Sequence, residues 1–462
     1  MTANVTPTPS QMLAALQSPY YGMVFLGLAS QAYTAQADWN EIPQGLYNAL
    51  TQTRYTPQLP GLNQPGVATP APIPGSWSLD WGPANGADGS GDNSNLLYIA
   101  SYRAKGNPNY ADGSPYFFAV GIRGTDTSVH GDALWQQIFQ DIRDFTLWSW
   151  PNLLSGEDGK GDKTLLVPTP NTLDISGISG NVAHGSMLGF VKLANFTAPL
   201  NNGLPPSQAT GPSLTVMAAL NQLLTQYPRT PVVVTGHSLG AALTQLMSAY
   251  LAWQLGPSTT FNVPVIPQAF APPTAGDQDF ITTYQALCPN SFFWYNAYDV
   301  VPFAYITMDG GKSGLDYANH NLWTAYKWPA GSVTPQGKNI SGQSGPHLPD
   351  AMRLLIDGFA NDIPKTYRRP TVGVLPLDGV IQQPQVIEAF LLGMGGKWAT
   401  TDPTTPDAQL AWQHFPPAYF KQMAVQYGKQ LAIYVVTPYK PHPTSDPAAE
   451  QSDEPAAAGA AG

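Results

Sequence analysis

At 462 residues the chain exceeds the size at which a single hydrophobic core normally stops growing, yet α/β enzymes carry large insertions in one domain, so one catalytic domain with additions is expected. Only 11% of residues are charged and the formal net charge is −10, with Asp446, Glu450, Asp453 and Glu454 in a tail that has no Lys or Arg after Lys440, which excludes nucleic acid as a partner. The single cysteine, Cys288, excludes an intrachain disulfide and a Cys-rich zinc site, and there is no apolar run of the roughly 18 residues that a membrane span needs.

From Met1 to Gln11 there is no Lys or Arg, and the apolar stretch around Gly22–Leu26 is short, so no secretory signal is recognisable. This leaves the cytoplasm or export by a leaderless route. Residues 11–35 place Leu, Met, Tyr and Ala at helical spacing, and Pro-rich sequence from Pro57 to Pro83 follows, so residues 1–90 read as a helical and Pro-rich wrapper. Residues 91–440 read as the catalytic domain. Asn95–Arg103 and Tyr116–Arg123 are strand-like, separated by turn residues, and suit a hairpin. A helical pattern over Asp132–Phe145, an irregular segment from Pro151 to Gly180 and a helix near Leu214–Gln226 lead to the strand Pro231–Thr235.

Beyond it, Gly240–Gln254 reads as a buried helix, and Val263–Phe270, Asp277–Leu287 and Ser291–Asn296 alternate strand, helix, strand. This alternation predicts a mostly parallel central sheet flanked by helices. Residues 303–346 and 362–406 read as loop-rich insertions around a helix at Leu348–Phe359. Asp407–Gln426 and then a last strand at Leu431–Val436 end the fold, and 441–462 is a disordered tail.

The chemistry-bearing pattern is Gly236-His237-Ser238-Leu239-Gly240. A Gly-x-Ser-x-Gly match is weak alone, but Val232, Val233, Val234 and Thr235 feed directly into it and the small residues Gly240-Ala241-Ala242 open a helix behind it. Such a strand-turn-helix is what a nucleophile elbow requires. Gly236 and Gly240 lack side chains so that strand and helix can approach, and the amide of Leu239 is an expected oxyanion donor.

Three further segments make the chain resemble the class 3 (fungal-type) lipase family, over about residues 95–303. Phe118-Ala119-Val120-Gly121-Ile122-Arg123-Gly124-Thr125 is similar to the family's strand ending in Arg-Gly-Thr/Ser, which implies Thr125 as the second oxyanion contact. Val182-Ala183-His184-Gly185 with Phe190 is similar to a segment leading into a helix. Asn296-Ala297-Tyr298-Asp299-Val300-Val301-Pro302 is similar to Asn-x-x-Asp-x-Val-Pro, which implies Asp299 as the acid of a triad in the order Ser, Asp, His. The resemblance implies an α/β-hydrolase fold, a lipase or carboxylesterase working through an acyl-enzyme on Ser238, lipid or ester substrates met at a lipid interface, and no cofactor or catalytic metal.

Seven histidines compete to be the base. His130, His184 and His237 precede the acid, and His237, as the neighbour of Ser238, should point away from it. His442 begins the tail and His320 lies in a polar loop. His347, at a helix entry, and His414, in Trp412-Gln413-His414-Phe415-Pro416-Pro417-Ala418-Tyr419-Phe420, remain. The latter resembles a Gln-His-x-x-x-x-Tyr stretch of longer bacterial members, so His414 is the expected base and His347 the alternative.

Leu134, Trp135, Ile138 and Phe139 recur at helical spacing within residues 128–150, which suits either an apolar lid or a helix packed on the sheet. Gly311-Lys312-Ser313 lacks the upstream glycine of a phosphate loop, and Asp88–Asp92 lacks the acidic twelfth position of a calcium loop. The same machinery would also serve a phospholipase, thioesterase or acyltransferase, while a rival from another class, a non-catalytic lipid-binding or interaction module on the same fold, would lack a working triad.

Overall fold

The computed structural model describes residues 6–33, 42–51, 58–59, 71–85, 95–124, 147–149, 173, 175–257, 259–303, 306, 327–345, 366–394 and 399–427. Its centre is a sheet of seven strands: β1 (Gly75–Asn85), β2 (Leu96–Ala104), β3 (Pro115–Ile122), β4 (Val232–His237), β5 (Val265–Phe270), β6 (Phe292–Asn296) and β7 (Val374–Leu377). They lie side by side in sequence order. From β3 to β7 every pairing is parallel, while β2 runs antiparallel to both β1 and β3. The expected hairpin is therefore β2–β3, and the strand–helix alternation after Val232 builds the parallel part, because parallel neighbours need a crossover.

Alternation along β4 shows why both faces need cover. Val232 and Val234 join the core formed with α4 (His184–Asn195), α5 (Val216–Gln226), α6 (Leu239–Leu255) and α7 (Gln278–Leu287). Val233 points the other way, into a second core with α1 (Pro9–Leu16), α2 (Gly22–Gln31), α3 (Ile42–Thr51) and α10 (Pro416–Tyr427). A run of valines with no polar alternation is what a strand covered on both sides demands.

The N-terminal wrapper is therefore corrected. All ten residues of α2 are buried, none is charged, and the Thr235 hydroxyl on β4 donates to the Phe25 carbonyl at 3.0 Å. The second face of the sheet would otherwise stand in water, so this helix is core and not wrapping. The Pro-rich stretch likewise ends in β1, a full edge strand paired along β2. The loop-rich reading of residues 362–406 is corrected too: β7 and helix α8 (Pro384–Met394) lie within it, and β7 closes the sheet beside β6. The segment Asp407–Gln426 near the end of the fold forms two helices, α9 (Pro406–His414) and α10, broken at Phe415.

Several expected features fall outside the described residues: the helices over Asp132–Phe145 and Leu348–Phe359, the strand Leu431–Val436, the segments Asp88–Asp92 and Gly311–Ser313, and the tail. Of the candidate lid, only the strand Leu147–Ser149 is described, paired antiparallel with Asn181–Ala183. Among the described residues no single helix is long and apolar enough to cross a membrane. Cys288 is buried, and burial pushes its thiol pKa up, as befits an inert core residue.

Candidate active site

The site is assembled at the carboxyl ends of the parallel strands, where an open α/β sheet offers a crevice. β4 ends at His237 and α6 begins at Leu239, so Ser238 is the whole turn between them. Its backbone has φ 60° and ψ −129°, a left-handed conformation that costs a non-glycine residue of order 1–3 kcal/mol. The turn is held by the Ser238 N–H donating to the Phe270 carbonyl at 2.9 Å and by the Ala241 N–H donating to the Ser238 carbonyl at 2.9 Å.

The two elbow glycines have separate reasons. A side chain on Gly236 would run into the Gly240 backbone, so strand and helix could not fold back on each other. A Cβ on Gly240 would lie 2.6 Å from the Ile122 carbonyl oxygen and 2.8 Å from the Gly124 nitrogen, so its absence lets the start of α6 sit against the end of β3. As the first residue of α6, Leu239 has an N–H without an intrahelical partner, at the positive end of a helix buried all round. Thr125 lies outside the described residues; the strand end is described to Gly124, whose N–H donates to the Tyr33 hydroxyl at 3.2 Å.

Asp299 follows β6 in a turn made by Asn296, whose side-chain oxygen accepts the Tyr298 N–H at 2.9 Å. The carboxylate accepts the Val301 N–H at 3.0 Å and the Tyr419 hydroxyl at 2.7 Å. His414, the last residue of α9, places Nδ1 at 2.9 Å from Asp299 Oδ2 and 3.0 Å from Oδ1. Its Nε2 lies 2.8 Å from Ser238 Oγ. Because the carboxylate accepts, Nδ1 carries the ring proton and Nε2 is the free base facing the hydroxyl. All three side chains are buried, Ser238 at 5% exposure, His414 at 2% and Asp299 at 1%, so these bonds form away from bulk water.

Of the expected residues, then, the structure brings together Ser238, Asp299, His414, Leu239, Gly236 and Gly240. His347, the alternative base, lies outside the described residues, as do His130, His320 and His442. His184 opens α4, as the leading-into-a-helix segment implied, with Phe190 in the core. His237 turns to Tyr33, whose hydroxyl is 3.3 Å from its Nδ1, and to His414, whose ring centroid is 4.9 Å from its own. Among the described residues no three His, Cys, Asp or Glu side chains gather as metal ligands would.

Three contributors were not identified from the sequence. Tyr419 donates to Asp299 Oδ2 and accepts the Asn296 N–H at 3.1 Å; burial, and then the Asp299 charge, raise its pKa well above the usual range, so it stays a donor. Its place five residues after His414, in a matched pattern, was the available signal. Asn296 donates to the Gln413 carbonyl at 2.9 Å. His237 Nε2 lies 2.7 Å from the His414 carbonyl oxygen, and burial, reinforced by the His414 ring, holds its pKa well below the ordinary imidazole value. A neutral His237 follows.

Residues 182–307 match the class 3 lipase family. A secreted mono- and diacylglycerol lipase of Gibberella zeae is 29% identical over 124 residues, which is 26% of this chain and 38% of that protein. The chain thus aligns with less than half the length of this curated relative. Among solved structures, the M37 lipase superposes with a TM-score of 0.54 at 19% identity, covering 87% of this chain and 93% of the other. The fold is that of an α/β hydrolase, and the resemblance to class 3 lipases holds. The family match ends well before His414.

Proposed function

We propose that this α/β hydrolase, similar to the class 3 lipases over residues 182–307, is a carboxylic ester hydrolase that cleaves acylglycerols or related esters through an acyl-enzyme on Ser238. The observation that carries the reading is the unbroken line of contacts from Ser238 Oγ through both nitrogens of His414 to Asp299.

In the first half-reaction Ser238 Oγ attacks the ester carbonyl carbon while its proton passes to His414 Nε2. The ring becomes a cation, and Asp299, kept in place by Val301 and Tyr419, stabilises it. The carbonyl oxygen becomes an oxyanion that the amides of Leu239 and Thr125 receive. Collapse of the tetrahedral centre breaks the bond to the alkoxy oxygen, which leaves as the alcohol with the proton from Nε2. Water then repeats the sequence: His414 takes its proton, the hydroxide oxygen bonds to the acyl carbon, and the acid departs as Ser238 regains its hydrogen. No cofactor enters either half. The lid role of residues 128–150 belongs to the same reading, since a buried Ser238 needs a path for substrate. The secreted relative favours export over the cytoplasm for this chain as well.

Fluorophosphonate labelling followed by peptide mass spectrometry tests the proposal. The expected result is one adduct, on Ser238, lost in Ser238→Ala together with hydrolysis of p-nitrophenyl butyrate and of diacylglycerol. A folded wild-type protein that takes up no label on Ser238 sinks it.

A further inference from the structure

α9 ends on His414, and the last carbonyls of a helix have no intrahelical partner. For Gln413 and His414 the N–H groups that could continue the helix belong to residues 416, 417 and 418. Pro416 and Pro417 have none, and the Ala418 N–H donates to the Phe415 carbonyl at 3.1 Å. Two buried carbonyls are thereby released at the residue that must be held most accurately. Each is taken by a side chain from another part of the site: the Gln413 carbonyl by Asn296 Nδ2 at 2.9 Å, from the strand of the acid, and the His414 carbonyl by His237 Nε2 at 2.7 Å, from the strand of the nucleophile.

We infer that His237 is a positioning residue for turnover, holding His414 by its main chain so that the imidazole keeps its place when Ser238 no longer touches it. This rests on the triad proposed above. Since a carbonyl only accepts, His237 Nε2 carries the proton and Nδ1 is bare, 3.3 Å from the Tyr33 hydroxyl. Ser238 and His237 are consecutive at the strand end, so the elbow grips His414 twice: the Ser238 hydroxyl meets the ring nitrogen, and the His237 imidazole, its ring 4.9 Å from that of His414, meets the carbonyl. The two grips differ in time. Once Ser238 Oγ is esterified it has no proton to give His414, whereas the bond from His237 is untouched by the chemistry. The ring must then activate water without the Ser238 hydroxyl, held by Asp299 and through its own main chain. Deacylation is the step that depends most on His237.

The test is a set of three substitutions assayed by stopped flow with p-nitrophenyl butyrate, with active sites counted by fluorophosphonate titration. His237→Leu removes the donor. In His237→Asn the amide stops short at the position of Nδ1, and in His237→Gln it extends to that of Nε2. Leu and Asn are expected to lower kcat about tenfold to a hundredfold, the loss that misplacement of a reacting group brings. KM falls in parallel and the first-turnover burst persists, because slowed deacylation accumulates acyl-enzyme. Gln should restore most of kcat. Should Leu fail to fold, Asn carries the same expectation. Wild-type kcat in Asn, or equal losses in Asn and Gln with unchanged KM, would overturn the inference. Failure of the triad itself would show differently, as a wild-type protein without label on Ser238.

Discussion

Asp80 and Asp299 are both buried carboxylates, and they have opposite uses. Asp80, on β1, faces the Arg103 guanidinium at 2.6 Å and the Ser78 hydroxyl at 2.8 Å. Burial raises its pKa above the ordinary carboxylate value although Arg103, Ser101 and Ser78 all pull the other way. Asp299 meets an imidazole, a phenol and a backbone N–H. A guanidinium keeps its protons at any working pH, so the first pair can only fasten β1 to β2. An imidazole can gain and lose one, so the second pair can drive chemistry. Burial and pairing do not mark a site; a partner that titrates, aligned with a hydroxyl, does.

The largest effect that sharpens this contrast is expected from His414→Ala, which should lower kcat about 10³-fold or more with little change in thermal stability. Near-normal turnover would end the contrast at once, and His347→Ala would then be the variant to measure. Asp80→Asn should behave oppositely. Breaking a buried pair costs about 3–5 kcal/mol, and the lower end applies because the Arg103 side chain is 18% exposed and keeps part of its hydration. Chemical denaturation should register that loss while kcat per labelled active site stays unchanged. The smallest effect is expected from Tyr419→Phe, which mixes the two behaviours. It deprives a charged acceptor and the Asn296 N–H of their partner, so kcat should fall roughly tenfold and stability by about 1–3 kcal/mol. A change in stability alone would move Tyr419 to the structural side of the comparison.

Much of the architecture was legible because it is written in contiguous residues. The four β-branched residues from Val232, the glycines around Ser238 and the Ala-rich helix behind them specify a strand-turn-helix wherever the chain goes, and the alternation that follows specifies parallel pairing. The misread parts share one cause. α2 is apolar along most of its length, which marks a buried helix, but the surface that buries it is known only once the uncovered face of the sheet is known. Strand β7 is short, preceded by Gly373 and interrupted by Pro376, and it becomes a strand only because β6 offers an open edge.

For the site, the sequence by itself determined the local pieces: Ser238 in a turn that only small neighbours permit, Leu239 at a helix start, and Asp299 in a turn after a strand. Their spacing within short motifs carries that information. A short resemblance around His414 favoured it over His347, but only the tertiary structure brings its imidazole, 176 residues further along, against Ser238, because a contact so distant in sequence is set by packing. The same holds for the grip on that histidine. The consecutive prolines after Phe415 state in sequence that helical carbonyls will be left open, but that His237 and Asn296 close them follows from strand register and helix placement, where distances are set by packing and not by order along the chain.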